Sequence, residues 1–118
     1  IRDDVESRGL GDVYKRQKED KLLIVKIIAE IDHHTTEKLR RKIDNEITRY
    51  MPRKVIFNFD KVSFMDSAGI GMIIGRYKII KMLGGELEIK NVSRSIRKVF
   101  EMSGITKIIK LEEGEVYA

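Results

Sequence analysis

The stretch LLIVKIIAEID, residues 22–32, limits the possible folds more than any other part of the chain. Its apolar residues are nearly continuous and many are β-branched. This pattern is typical of a strand that is buried on both faces, as the strands of parallel sheets are. The stretch therefore predicts an α/β protein and argues against a sheet with one face in water.

The rest of the chain alternates between helical and extended patterns. Apolar residues recur at helical spacing in three segments, and each of these is followed by a short apolar run. Thr35 or Thr36 is a suitable cap for the first helix, Pro52 ends it, and Gly84 and Gly85 close the second. Such alternation predicts crossover connections and a largely parallel sheet with helices packed on it. In order, the predicted segments are TTEKLRRKIDNEITRYM (helix), KVIFNFD (strand), a helix from about residue 67 to about residue 83, ELEIKN (strand), SRSIRKVFEMSG (helix) and ITKIIKL (short strand).

The first 17 residues differ from the rest. Residues 1–17 have no apolar face and do not begin with Met. We expect a leader that is non-native or poorly ordered, with a possible edge strand near residues 12–17. The folded domain is expected over residues 18–118.

Composition excludes several classes of function. The formal net charge is +5, but basic and acidic residues are interleaved and no aromatic-rich strand is present, so nucleic-acid binding is not expected. No apolar run is long enough to span a membrane, and Cys is absent. The sequence therefore predicts a cytoplasmic protein without disulfides and without a membrane partner.

Two strand-to-helix loops carry the candidate chemistry. They are EIDHHTT, residues 30–36, and DKVSFMDSAG, residues 60–69. Loops of this kind gather at the carboxyl edge of a parallel sheet, where sites usually lie, so we expect the two loops to be neighbours. Within the second loop, Asp66 or Ser67 is the expected cap of the helix that follows.

Four interpretations of this region can be compared. A nucleotide site is poorly supported, because Gly69, Gly71 and Gly75 do not have the dinucleotide-binding spacing and no Lys-Ser/Thr pair follows them. A hydrolase built on Ser67, His33 and Asp32 lacks the nucleophile elbow, and two adjacent histidines lack a third metal ligand. The fourth interpretation is that Ser67 accepts a phosphate at a helix N-terminus, beside free backbone N–H groups. The residues permit this role without selecting it.

Three segments resemble the STAS-domain anti-anti-sigma factors, and the likeness is strongest to the sporulation members of that family. The segments are AEIDHHTTEKLRRKI, VSFMDSAGIGMIIGRYKIIKMLGGELEI and VFEMSGITKIIKL. The resemblance implies a four- to five-stranded mixed sheet with helices and no catalysis of its own. It also implies that Ser67 is phosphorylated by an anti-sigma factor that is a serine kinase, and that a serine phosphatase reverses this. The alternative within the family is a module that senses a small ligand or a nucleotide without phosphorylation.

The resemblance and the residues together assign roles around Ser67. Asp66 is expected to shape the loop, and Asp32 to offer a carboxylate to a basic residue of the kinase. Gly69 and Gly71 are expected to leave room for the partner, and tight packing of the helix on the sheet is the alternative use of the glycines. Met65 and Met72 are expected to be adaptable apolar contacts for the partner. No cofactor is expected.

Overall fold

A computed structural model of the chain describes residues 12–16, 21–28 and 30–113. The part it describes forms a five-stranded sheet with strand order β1-β2-β3-β4-β5. β1 pairs with β2 in the antiparallel sense, and the other neighbouring strands pair in parallel. The elements are β1 Asp12–Arg16, β2 Leu22–Lys26, α1 Thr36–Tyr50, β3 Lys54–Asn58, α2 Ser67–Met82, β4 Glu86–Lys90, α3 Arg94–Ser103, a 3₁₀ turn Ile105–Lys107 and β5 Leu111–Glu112. The predicted mixed, largely parallel α/β sheet is confirmed.

Both faces of β2 are buried, as its sequence predicts. Leu23 and Val25 belong to the cluster of side chains beneath the helices, and both are fully buried. Ile24 points to the opposite face, because side chains alternate along a strand, and it is only 1% exposed. The core between the helices and the sheet also contains apolar residues of all three helices, including Leu39, Ile43, Ile47, Ile70, Ile73, Ile80, Ile96 and Phe100.

Two predicted strands differ from the observed ones. β2 stops at Lys26 because the segment after its neighbour β3 turns away from it. In this turn the Val62 N–H donates to the carbonyl of Phe59. The last segment, predicted as a strand over residues 105–111, instead forms the 3₁₀ turn and then the two residues of β5. Its buried residues, Ile105 and Ile109, are four apart, which suits a helical turn better than a strand.

β1 lies inside the segment that we expect to be a leader, where it pairs with the whole of β2. Residues 1–11 and 17 lie outside the described residues, so the expectation of a poorly ordered leader stays a prediction. Within the described ranges, no helix is both long and apolar enough to cross a membrane.

Candidate functional site

Backbone hydrogen bonds join the two candidate loops at the carboxyl edge of the sheet. Ile31 and Met65 form an isolated parallel bridge. The Ile31 N–H donates to the carbonyl of Phe64 at 2.9 Å, and the Asp66 N–H donates to the carbonyl of Ile31 at 3.1 Å. Asp32, which follows Ile31, and Ser67, two residues after Met65, are therefore held on one edge of the domain, as the topology predicts.

Asp32 organises the turn that leads into α1. Its carboxylate accepts hydrogen bonds from the backbone N–H groups of His34, at 2.9 Å, and Thr35, at 3.1 Å. The Thr35 hydroxyl donates to the carbonyl of Glu30 at 2.9 Å and accepts from the Asp32 N–H. Thr35 therefore does not cap α1 with its side chain, contrary to expectation, because its hydroxyl is used within the turn. The side chain of Asp32 is still 28% exposed, so a partner can reach it.

These hydrogen bonds make the stability of the domain depend on the charge of Asp32. Partial burial raises the pKa of the Asp32 carboxyl, but the N–H groups of His34 and Thr35 outweigh that effect and bring the pKa below its ordinary value of 3.8. A lowered pKa contributes stability at pH values above the unfolded-state pKa. That contribution is lost as the pH falls through the folded-state pKa.

We therefore expect Asp32→Asn to lower the melting temperature at pH 7. The difference in melting temperature between the variant and the wild type should narrow as the pH falls from 4 towards 3. Asp60→Asn is the matched control, since Asp60 is exposed on a neighbouring loop. Removing its charge should change the melting temperature little. Thermal melts across this pH range measure both variants. A gap that stays constant with pH would show that the charge of Asp32 does not stabilise the turn.

Asp66 is the N-cap of α2, and Ser67 is the first residue of the helix. The Asp66 carboxylate accepts from the Ala68 N–H at 2.9 Å, and the Asp66 carbonyl accepts from the Gly69 N–H at 3.0 Å. Ser67 is exposed, and its hydroxyl makes no hydrogen bond to any other residue that the structure describes. The Ser67 hydroxyl therefore does not stabilise the described part of the fold.

The capping by Asp66 corrects one expectation about the end of this helix. We expected free N–H groups beside Ser67, but two of the first three already have partners. A phosphate on Ser67 would have to compete with Asp66 for these donors, and the two groups would repel each other. The helix terminus is thus less able to neutralise a phosphate than the sequence suggests.

The two methionines predicted as partner contacts are buried. Met65 is 4% exposed and Met72 is 5% exposed, and both belong to the hydrophobic core. Little of either side chain is exposed to a partner, because the bridge to Ile31 fixes the backbone at Met65 and Met72 packs into the core from α2. The apolar side chain that the loop does expose is Phe64, at 47%. Sequence reasoning missed Phe64 because either of two adjacent apolar residues, Phe64 or Met65, could have faced inward.

The glycines of α2 have different roles. A Cβ atom at Gly69 would lie 2.4 Å from Cγ of Met65 and 2.9 Å from Cγ2 of Ile31. Gly69 is buried and makes room for the domain's own side chains, which is the packing use that the sequence allowed for these glycines. Gly71 is exposed, and a Cβ atom there would meet nothing within 4 Å. Of these two glycines, Gly71 is the one that leaves space at the surface for a partner.

Alanine substitutions should separate these two roles. We expect Gly69→Ala to lower the free energy of unfolding by about 1–2 kcal/mol, because β-branched Ile31 cannot move away easily. Gly71→Ala should leave it unchanged or raise it by up to about 1 kcal/mol, since Ala favours a helix over Gly. Urea denaturation at pH 7 measures both. Equal stabilities for the two variants would contradict the assigned roles.

Comparisons with known proteins fit this fold. The family model of the STAS domain matches residues 14–118. The chain is 37% identical over 97 residues to the anti-sigma F factor antagonist of Paenibacillus polymyxa. The aligned residues cover 82% of this chain and 83% of that protein. The chain belongs to the STAS-domain family of anti-sigma factor antagonists.

Two solved structures extend the comparison. The unphosphorylated form of the anti-sigma factor antagonist SpoIIAA superposes with a TM-score of 0.70 at 30% identity, covering 84% of this chain and 86% of that one. The phosphorylated form of the Bacillus cell fate determinant SpoIIAA gives a TM-score of 0.63 at 30% identity, covering 84% and 89%. The Paenibacillus polymyxa protein and SpoIIAA are thus both named as antagonists of anti-sigma factors.

Proposed function

We propose that this STAS domain, in its unphosphorylated form, binds an anti-sigma F factor and so releases the sigma factor. We further propose that the anti-sigma factor is a serine kinase that ends this binding by phosphorylating Ser67, and that a serine phosphatase reverses it. The observation that carries the proposal is the exposed Ser67 hydroxyl at the start of α2, within the DSAGIG segment. Support for the regulatory class comes from the relatives at 37% and 30% identity.

The contact surface of the proposed complex centres on the joined loops. Ser67, Phe64 and Gly71 are exposed there, and the carboxylate of Asp32 is partly exposed. Phe64 offers apolar area that a partner can bury, and aromatic residues are common anchors in interfaces. Asp32 and Asp66 give this part of the surface a negative charge that suits a basic residue of the kinase.

Phosphate on Ser67 would act by changing this surface. It adds nearly two negative charges beside Asp66. Refolding α2 to accommodate it would expose Ile70 and Ile73, which are buried and contribute roughly 1.5–3 kcal/mol each. Both the unphosphorylated and the phosphorylated form of SpoIIAA superpose on this fold, with TM-scores of 0.70 and 0.63, which supports a fold that persists with the phosphate in place.

A binding and displacement experiment tests the proposed function. The unphosphorylated chain is titrated into a preformed complex of the Paenibacillus polymyxa anti-sigma F factor and its sigma factor, without ATP hydrolysis. We expect the chain to bind the anti-sigma factor and displace the sigma factor in proportion. No binding, or binding without displacement, would overturn the proposed function.

A further inference from the structure

A groove between α1 and α2 begins beside Ser67 and shares Gly71 with the contact surface proposed above. We call it the α1–α2 groove, and its volume is about 250 Å³. On the α2 side it starts at Ala68, the residue after Ser67, and it extends for two helical turns to Arg76. The residues that line it are Thr36, Glu37, Arg40, Ala68, Gly71, Met72, Gly75 and Arg76.

The floor of the groove is open because two helical residues lack side chains. A Cβ atom at either Gly71 or Gly75 would meet nothing within 4 Å. Glycine weakens a helix relative to alanine, and packing within the described domain does not require it at these two positions, in contrast to Gly69. Neither glycine has a positive φ, so the use of glycine that these two positions allow is close approach by another molecule.

Charged side chains on the α1 side and at the far end leave an excess of positive charge. The carboxylate of Glu37 lies 3.2 Å from the guanidinium groups of both Arg40 and Arg41. Asp44 lies 2.7 Å from Arg76 and 4.0 Å from Arg40. Three guanidinium groups thus share two carboxylates, which leaves one positive charge. Arg40 is the partly exposed cation of this cluster that lines the groove.

We propose that the anti-sigma factor places an aliphatic side chain over Gly71 and Gly75 and pairs a carboxylate with Arg40. The groove continues the surface proposed around Ser67, so one partner can cover both, and the inference rests on the proposed function. Exposed pairs such as Arg40–Glu37 contribute little, so a partner carboxylate can replace Glu37 at small cost. The partner's contact face would then carry a basic group opposite Asp32 and an acidic group opposite Arg40.

Binding measurements with matched variants of the full chain test this proposal. The probe is the Paenibacillus polymyxa anti-sigma F factor, and the readouts are its Kd by calorimetry and the melting temperature of each variant. Gly75→Ala should weaken binding about tenfold while the melting temperature stays the same or rises, because the new methyl group fills the groove without a clash. Lys78→Ala, an exposed change on the same helix, should leave the Kd within about twofold.

A second pair of variants tests the charge. Arg40→Ala should weaken binding at least fivefold, whereas Arg41→Ala should change it less than twofold, although both arginines contact Glu37 at 3.2 Å. If Gly75→Ala and Arg40→Ala both have the Kd of the wild type, the groove proposal is overturned and the proposed function stands. Failure of the wild-type chain to bind would overturn both.

Discussion

Ser67→Asp is expected to weaken binding to the anti-sigma factor by about 100-fold or more, while Ser67→Ala stays within about threefold of the wild type. Burying a second carboxylate beside that of Asp66 in the interface carries a desolvation cost and like-charge repulsion between the two, and each 1.4 kcal/mol of lost binding energy corresponds to a factor of ten. The new carboxylate would lie next to Asp66, whose own carboxylate already caps Ala68. Asp66 already uses two of the first three N–H groups of α2, so few donors near Ser67 are left to offset the added charge.

Loss of binding through unfolding can be separated from loss through charge. Ser67 is exposed at the first position of α2, where an acidic residue is compatible with the helix dipole. We expect the free energy of unfolding of Ser67→Asp to stay within about 0.5 kcal/mol of the wild type. Ser95→Asp is the matched control, because Ser95 is exposed in the first turn of α3. Equal weakening by both variants would point to net charge alone and not to the site.

Asp44→Asn is expected to lower the free energy of unfolding by about 2 kcal/mol. Arg76 is only 6% exposed, and its Nε lies 2.7 Å from the Asp44 carboxylate, which ties α2 to α1. Burial lowers the pKa of Arg76, partly offset by the charge of Asp44, but a guanidinium stays charged at neutral pH. Removing its partner therefore leaves a buried charge uncompensated. The partial exposure of Asp44, 29%, is the reason for an estimate below the roughly 3–5 kcal/mol of a fully buried pair.

Two further variants make this prediction specific. Replacing both partners, Asp44→Asn with Arg76→Met, should recover most of the lost stability, because no unpaired charge remains buried. Glu37→Gln removes an exposed pair on the same helix and should cost less than about 0.5 kcal/mol. Chemical denaturation at pH 7 measures all three. A single Asp44→Asn variant as stable as Glu37→Gln would show that the pair does not hold the two helices together.

The elements with strong periodic patterns could be predicted, because neighbouring residues in the sequence are enough to show which side chains are buried. β2 is apolar along both faces, and α1 places Leu39, Ile43 and Ile47 on one side, so each pattern fixes what must be buried. The position of the candidate site also followed from topology, because loops that leave parallel strands meet at one edge. Ser67 at the start of α2 needed only the capping pattern of the preceding Asp66.

What could not be predicted depends on contacts between distant residues. Gly69 and Gly71 look alike in sequence, and the approach of Met65 and Ile31 makes Gly69 essential to packing. The same approach turns Met65 inward and leaves Phe64 outside. Asp44 and Arg76 lie on different helices, and no local pattern indicates that they pair. Tertiary contacts of this kind decide between side chains that the sequence presents as equivalent.

Phosphorylation of Ser67 is the central claim, and mass spectrometry tests it most directly. The wild-type chain and Ser67→Ala are incubated with the Paenibacillus polymyxa anti-sigma F factor and ATP, and the tryptic peptides are analysed for an added phosphate. We expect close to one phosphate per wild-type chain, confined to the peptide that contains Ser67, and none on the variant. A wild-type chain that stays unmodified while bound to the anti-sigma factor, or a phosphate on another residue, would contradict the account.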